Sequence, residues 1–233
     1  MVALPEYFAL VSDDENARFL AREREGDGAI QDFLSKTAAH HGIWIIGGTL
    51  PLEANASDKT RNTTLVFDDC GNQVARYDKI HLFGFEQNGE HYDEAASIEP
   101  GSCVVCFDSP AGRVGLAVCY DLRFPEIFRA MGKVNLIVLP SAFTYTTGRA
   151  HWETLLRARA IENQCYLMAP AQGGVHPHGR RTWGHSMIVD PWGDILACRP
   201  EGEGVVMTDI DPEWVTVVRR CLPALNHRRP ELF

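Results

Sequence analysis

The run Val114-Gly115-Leu116-Ala117-Val118-Cys119-Tyr120-Asp121-Leu122-Arg123-Phe124-Pro125-Glu126 carries an apolar strand straight into a cysteine, with a helix start a few residues later. A sulfur at a strand end and near a helix N-terminus is placed where a thiolate is stabilised, which makes Cys119 a candidate nucleophile. A cysteine there can equally be a small buried hydrophobe. A nucleophile also needs a base and an oxyanion partner. No histidine lies beside Cys119, but two other polar residues end apolar strands: Glu6 after Leu4-Pro5, and Lys79 in Arg76-Tyr77-Asp78-Lys79-Ile80-His81-Leu82. Each has a plainer reading. A lysine that closes a strand can be a solvated end with its stem on apolar surface, and a glutamate after proline can be a turn or cap residue.

The elements that would position these residues follow from pattern and punctuation. Val2 to Pro5 reads as the end of a strand, Ser12-Asp13-Asp14-Glu15 starts a helix, and Asp27 to His41 is a second helix closed by Gly42. Ile43 to Thr49 is expected as a strand. Two hairpins follow, Thr63 to Phe67 with Gln73 to Lys79, and Val104 to Phe107 with Val114 to Val118. A helix from Pro125 to Gly132, a buried strand Val134 to Leu139, a long helix Arg149 to Asn163 and a strand Cys165 to Ala169 come next. A polar loop with His176, His178, Arg180 and Arg181 leads to a third hairpin, Gly184 to Val189 with Ile195 to Cys198. A further strand is expected at Val205 to Ile210, then a short helix capped by Asp211-Pro212-Glu213. Hairpins mixed with strand–helix alternation predict an α/β (α+β) sandwich with helices covering sheets, in one domain spanning 1–233.

Composition narrows the function. The chain has 233 residues, with 22 Lys+Arg against 31 Asp+Glu and a net charge of −9. It has no basic face to neutralise phosphates, so nucleic acid is not an expected partner. Hydrophobic residues at 45% support a globular core. No apolar stretch approaches the ~20 residues of a membrane span, and the first residues lack the basic region of a signal peptide. Seven cysteines scattered through apolar segments point to a reducing compartment, with the cytoplasm as the expected location. Cys103-Val104-Val105-Cys106 has zinc-like spacing, but it is expected inside a strand and has no second pair, so no metal is expected. His176 and His178 are expected to border a pocket rather than hold a metal. No glycine-rich loop calls for a nucleotide, and no cofactor is expected.

Three ordered motifs resemble those of the nitrilase, or carbon–nitrogen hydrolase, superfamily. Leu4-Pro5-Glu6-Tyr7-Phe8 is similar to its glutamate motif, Tyr77-Asp78-Lys79-Ile80-His81-Leu82-Phe83 to its lysine motif, and Val118-Cys119-Tyr120-Asp121-Leu122-Arg123-Phe124-Pro125-Glu126 to its cysteine motif. The likeness continues through Arg157 to Asn163 and Trp183 to Gly193. It implies a four-layer α-β-β-α sandwich and a thioester mechanism for cleaving a non-peptide C–N amide bond. In that scheme Glu6 takes the proton of Cys119 and later activates water. Lys79 and the backbone N–H of Tyr120 steady the oxyanion, and Glu94, within Tyr92-Asp93-Glu94, orients Lys79 and the water. For Glu94 a surface-loop carboxylate is the other reading.

Within the superfamily, Leu222 to Phe233 together with the lysine and cysteine motifs looks most like the deaminated-glutathione amidase branch, with the ω-amidase branch close behind. Both imply a small amide bearing a carboxylate. Arg123 could fork onto that carboxylate, or bridge to Asp121 or Glu126. Phe143-Thr144-Tyr145-Thr146-Thr147 follows a buried strand, and Phe143, Thr144 and Thr147 join Tyr120 as expected pocket residues. Hydrolysis of N-carbamoyl amino acids is a second reading, and a non-catalytic or regulatory protein with an incomplete site a third. The resemblance also implies a homodimer or higher homo-oligomer, with the tail ending at Phe233 as an interface element. Superfamily members carry a strand and a helix before the glutamate motif, whereas this chain begins at the motif, so a start short by those elements is expected.

Overall fold

The computed structural model describes residues 1–12, 14–87 and 90–232. Asp13 of the predicted helix start and Phe233 of the predicted interface tail lie outside them, and of His178 only the backbone is described. The first half of the chain contains β1 (Val2–Ala3), α1 (Glu15–Leu20), α2 (Ala29–His41), β2 (Ile45–Ile46), β3 (Leu50–Glu53), β4 (Thr60–Phe67) and β5 (Gln73–Asp78), followed by a hairpin of β6 (Gly84–Gln87) and β7 (Glu90–Asp93). Strands β1 to β5 form one sheet, in which β1 runs parallel to β2, and β4 pairs antiparallel with β2, β3 and β5.

The second half supplies β8 (Val105–Ser109), β9 (Gly112–Leu116), α3 (Pro125–Ala130), β10 (Leu136–Val138), α4 (Tyr145–Asn163) and β11 (Tyr166–Ala169). A small hairpin of β12 (Gly173–Val175) and β13 (Arg181–Trp183) precedes β14 (Ser186–Val189), β15 (Ile195–Arg199) and α5 (Pro212–Cys221). Its six-stranded sheet has the order β15-β14-β11-β10-β9-β8, parallel at the centre and antiparallel at both sides.

Strand alternation explains the layering. Ile46 and Val66 of the first sheet join Phe107, Val114 and Leu116 of the second in one buried cluster. Their neighbours Ile45, Leu65 and Phe67 point the other way, onto Leu34 and Ala38 of α2. Helices α3 and α4 bring Phe128, Trp152, Leu156 and Ala160 to the core of the second sheet. The architecture is therefore the α-β-β-α sandwich that the motifs imply.

Several expectations change, among them the loop expected around Arg181, which lies instead in β13, paired with β12. The strand predicted at Ile43 to Thr49 is shorter and resumes as β3, with the chain breaking at Gly47-Gly48-Thr49. Gly48 has φ +53, and a Cβ there would sit 2.2 Å from the carbonyl oxygen of Pro5, so the break lets the Pro5–Glu6 backbone approach. Helix α4 starts four residues earlier than Arg149, because the Thr144 side chain caps it by accepting from the Thr147 N–H. The segment Val205 to Ile210 is not a strand: it alternates as a strand would, but no backbone ladder holds it, and Val205 and Met207 are 87% and 84% exposed. Alternation is a side-chain property, and a strand needs a neighbouring backbone as well.

Candidate active site

Cys119 follows β9 and opens a 3₁₀ turn, Cys119–Arg123. Its φ is +48, an uncommon conformation for a residue with a Cβ. Its N–H donates to the Pro140 carbonyl at 3.0 Å. Asp121, fully buried, holds the turn: its Oδ2 accepts from the Val118 N–H at 2.8 Å. The same carboxylate accepts from the Tyr77 hydroxyl at 2.6 Å, and from the His81 N–H at 3.0 Å and ring Nδ1 at 2.7 Å. His81 in turn stacks on Phe124 with ring centroids 3.7 Å apart. Tyr77 and His81 flank Lys79, so one carboxylate ties the lysine segment to the cysteine turn. Arg123 therefore does not bridge to Asp121. It lies 3.2 Å from His151 Nδ1, with its guanidinium carbon 5.7 Å from the Tyr120 ring centroid and 5.4 Å from that of Phe143.

Lys79 follows the last residue of β5 and is fully buried, so its predicted alternative as a solvated strand end is excluded. Its ammonium donates to Glu6 Oε1 at 3.0 Å and to both oxygens of Glu94 at 3.0 and 2.7 Å. Burial opposes the charge, but the two carboxylates outweigh it, and the Lys79 pKa stands well above its ordinary value. Glu94, against its reading as a surface-loop residue, is enclosed. It accepts from the Phe83 N–H at 2.8 Å and from the Tyr7 hydroxyl at 2.8 Å. Burial would raise its pKa, yet Lys79 and these donors bring it below the usual carboxylate range.

Glu6 is 1% exposed, so it is not a surface turn residue. Three contacts fix its backbone: the Tyr7 N–H donates to Thr49 Oγ1 at 2.9 Å, Gln172 Nε2 donates to the Glu6 carbonyl at 3.1 Å, and Gly48 admits the Pro5 carbonyl. The neighbouring Tyr7 takes φ +58, which turns its side chain toward Glu94. Asn62 of β4 adds a second side-chain donor to Glu6 Oε1, at 2.9 Å.

The predicted stabilisation of a Cys119 thiolate is corrected by its surroundings. Burial first and Glu6 second push the thiol pKa well above its ordinary value, more than Lys79 lowers it. These surroundings favour the neutral thiol at Cys119, in a cleft that Glu6 also lines.

Glu6, Glu94 and Cys119 line a cleft of about 300 Å³ together with Phe83, Tyr120, Arg123, Phe143, Thr144, Thr147 and Arg180. All five predicted pocket residues are thus at one cleft. Thr144 and Thr147 share a hydroxyl–hydroxyl hydrogen bond of 2.8 Å, so they also build its wall as the cap of α4. Arg180, which the sequence places only in a polar loop, brings a second guanidinium, 5.6 Å from the Tyr92 ring centroid. Asn62 and Tyr7, which bond to Glu6 and Glu94, are among the other residues not singled out in the sequence. Tyr7 adjoins Glu6, a cue in hindsight, whereas Asn62 carried no local signal. His176 bonds to Thr182 Oγ1 at 2.6 Å. The cysteine pair also departs from expectation, since β8 begins at Val105 and leaves Cys103 outside the strand.

A family model described as carbon–nitrogen hydrolase matches residues 1–220. The deaminated glutathione amidase of Yersinia enterocolitica is 41% identical over 98% of this chain and 82% of its own length. The human deaminated glutathione amidase is 39% identical over 99% of this chain and 72% of its own. The crystal structure of Saccharomyces cerevisiae Nit3, described as a member of branch 10 of the nitrilase superfamily, superposes with a TM-score of 0.87 at 30% identity, covering 100% of this chain and 83% of that one.

Proposed function

The chain belongs to the carbon–nitrogen hydrolase family and is an amidase, and we propose that it cleaves the amide of a small carboxylate-bearing substrate of the deaminated glutathione type, with Cys119 as nucleophile, Glu6 as base and Lys79 as the fixed cation. One observation carries this reading: the buried Lys79 ammonium bridges Glu6 and Glu94, which line one cleft with Cys119, Arg123 and Arg180.

The chemistry follows from the arrangement. Glu6 accepts the thiol proton while sulfur bonds to the amide carbon, and the carbonyl oxygen becomes an oxyanion facing Lys79 and the Tyr120 N–H. Collapse breaks the C–N bond, the leaving nitrogen takes the proton from Glu6, and a thioester remains on Cys119. Water then loses a proton to Glu6 and attacks the thioester; the acid departs and the thiol is restored. Glu94 holds Lys79 in place, and its depressed pKa keeps it anionic for that purpose. Arg123 and Arg180 are suited to carboxylates on either side of the scissile amide, a charge pattern that deaminated glutathione has. Release of the amine product from deaminated glutathione, compared between the wild type and Cys119→Ala, tests the reading. Equal rates would remove it.

The same reading takes the protein as a cytoplasmic homo-oligomer. The free state of all seven cysteines suits a reducing compartment. Light scattering of the purified protein measures the assembly.

A further inference from the structure

We propose that Asn62 is a positioning residue that selects which oxygen of Glu6 takes the proton of Cys119, and that this oxygen is Oε2. The proposal rests on the reading of Glu6 as the base and adds to it a specific atom and the residue that assigns it.

Asn62 lies in β4, 56 positions from Glu6 in sequence and 3% exposed. Its Nδ2 donates to Glu6 Oε1 at 2.9 Å, and Lys79 Nζ donates to the same oxygen at 3.0 Å. A carboxylate oxygen has two lone-pair directions in its plane, and these two donors occupy both. No described residue donates to Oε2, while Glu6 itself lines the cleft beside Cys119. The two oxygens are therefore chemically different before any substrate arrives. A proton delivered to Oε1 would meet two N–H groups already pointed at it. One delivered to Oε2 meets an open lone pair.

The amide is also committed to this orientation. Asn62 Oδ1 is buried and accepts no hydrogen bond from a described residue, so the donor end alone locates the side chain. Turned over, the amide would set its oxygen against Oε1, an arrangement tolerable only for a protonated glutamate. As placed, it turns an N–H donor to that oxygen. The main chain of the same residue holds the cation: the Lys79 N–H donates to the Asn62 carbonyl at 3.0 Å. One residue thereby registers Lys79 through its backbone and Glu6 through its side chain. In the first step the S–H bond of Cys119 breaks and an O–H bond forms at Oε2. The electron pair left on sulfur forms the bond to the amide carbon.

The test compares Asn62→Asp, which keeps the shape but replaces donors by a like charge, and Asn62→Thr, which keeps a shorter donor. Amide hydrolysis is measured against pH, and the rate of Cys119 alkylation by iodoacetamide is followed by peptide mass without any amide substrate. The expected result for Asn62→Asp is an acid limb of kcat/KM displaced upward by about one pH unit, close to a tenfold loss at a pH below the limb, with KM nearly unchanged. The alkylation profile should move with it, and Asn62→Thr should lie between the two. An acid limb that coincides with the wild type's in folded variants, by both measurements, overturns the proposal. Unfolding of both variants would assign Asn62 to the fold and overturn it equally. Failure of the underlying reading looks different: Glu6→Gln would then leave the wild-type alkylation profile intact.

Discussion

The Tyr77 hydroxyl donates to Asp121 at 2.6 Å, which joins the strand that presents Lys79 to the turn that presents Cys119. Because Asp121 also takes Val118 and His81, the placement of Lys79 relative to Cys119 depends on one buried carboxylate. Tyr77→Phe removes a hydrogen bond to a charged group and is expected to cost about 1.5–3 kcal/mol of stability. It should lower kcat more than it changes KM, as denaturant titration and steady-state kinetics on the same preparation would show. Wild-type stability and kcat would contradict the tie.

Lys79→Met removes the only side-chain cation bonded to the Glu6–Glu94 pair among the described residues. Breaking a buried ion pair from one side typically costs about 3–5 kcal/mol, because the other charge is left unpaired. The variant is expected to unfold at lower denaturant and to lose nearly all turnover. Glu94→Gln, which leaves Lys79 with Glu6 and the Gln carbonyl, should be milder in stability.

Acid should distinguish that second variant from the wild type. The folded pKa of Glu94 lies below its ordinary 4.5, so its ionic contribution is complete above that value and is lost as pH falls through the depressed one. The melting temperature of the wild type is expected to drop more steeply below about pH 4.5 than that of Glu94→Gln. Parallel curves would show that Glu94 is not stabilised in the way its four hydrogen bonds indicate.

Arg123→Leu and Arg180→Leu are each expected to raise KM for a carboxylate-bearing amide by about 10- to 100-fold, the equivalent of one charge-assisted hydrogen bond. A neutral amide of the same size should be affected far less. Equal losses for charged and neutral substrates would place the arginines in the wall rather than in recognition.

Gly48→Ala introduces a methyl group where the Pro5 carbonyl already sits, at a backbone φ that disfavours a Cβ. Displacement of Pro5 carries Glu6 with it, so kcat should fall although no group in the cleft has changed. A wild-type kcat would show that the segment can yield without moving the base.

Much of this site was legible because its chemistry is concentrated in short motifs where strands end. Position alone left Glu6, Lys79 and Cys119 each with a plainer reading, and the resemblance of their three local motifs to those of the superfamily singled them out. Asn62 was not, since it precedes the strand expected at Thr63 to Phe67 and its partner Glu6 lies 56 residues away. Strand β3 was hidden by Pro51, which donates no ladder hydrogen bond but accepts one from the Glu23 N–H. Val205 to Ile210 failed in the opposite sense: its alternation was visible, but pairing depends on what lies beside it. The surroundings of Cys119 were missed for a related reason, because local sequence shows the helix that follows and hides first the burial and then the carboxylate brought from position 6, which together push the thiol pKa up.

The uneven charge of the cleft has a consequence for the end of the reaction. Glu6 and Glu94, which share the buried Lys79 ammonium, line the cleft, and so do Arg123 and Arg180. Hydrolysis at Cys119 would create a third carboxylate beside the first two, at the place where a neutral amide had just fitted. Repulsion from Glu6 and Glu94 then drives the new acid outward and disfavours its return as an acyl donor. The arrangement thus weakens the hold on the product acid and speeds its release, while the balance between amide and acid stays that of the uncatalysed reaction.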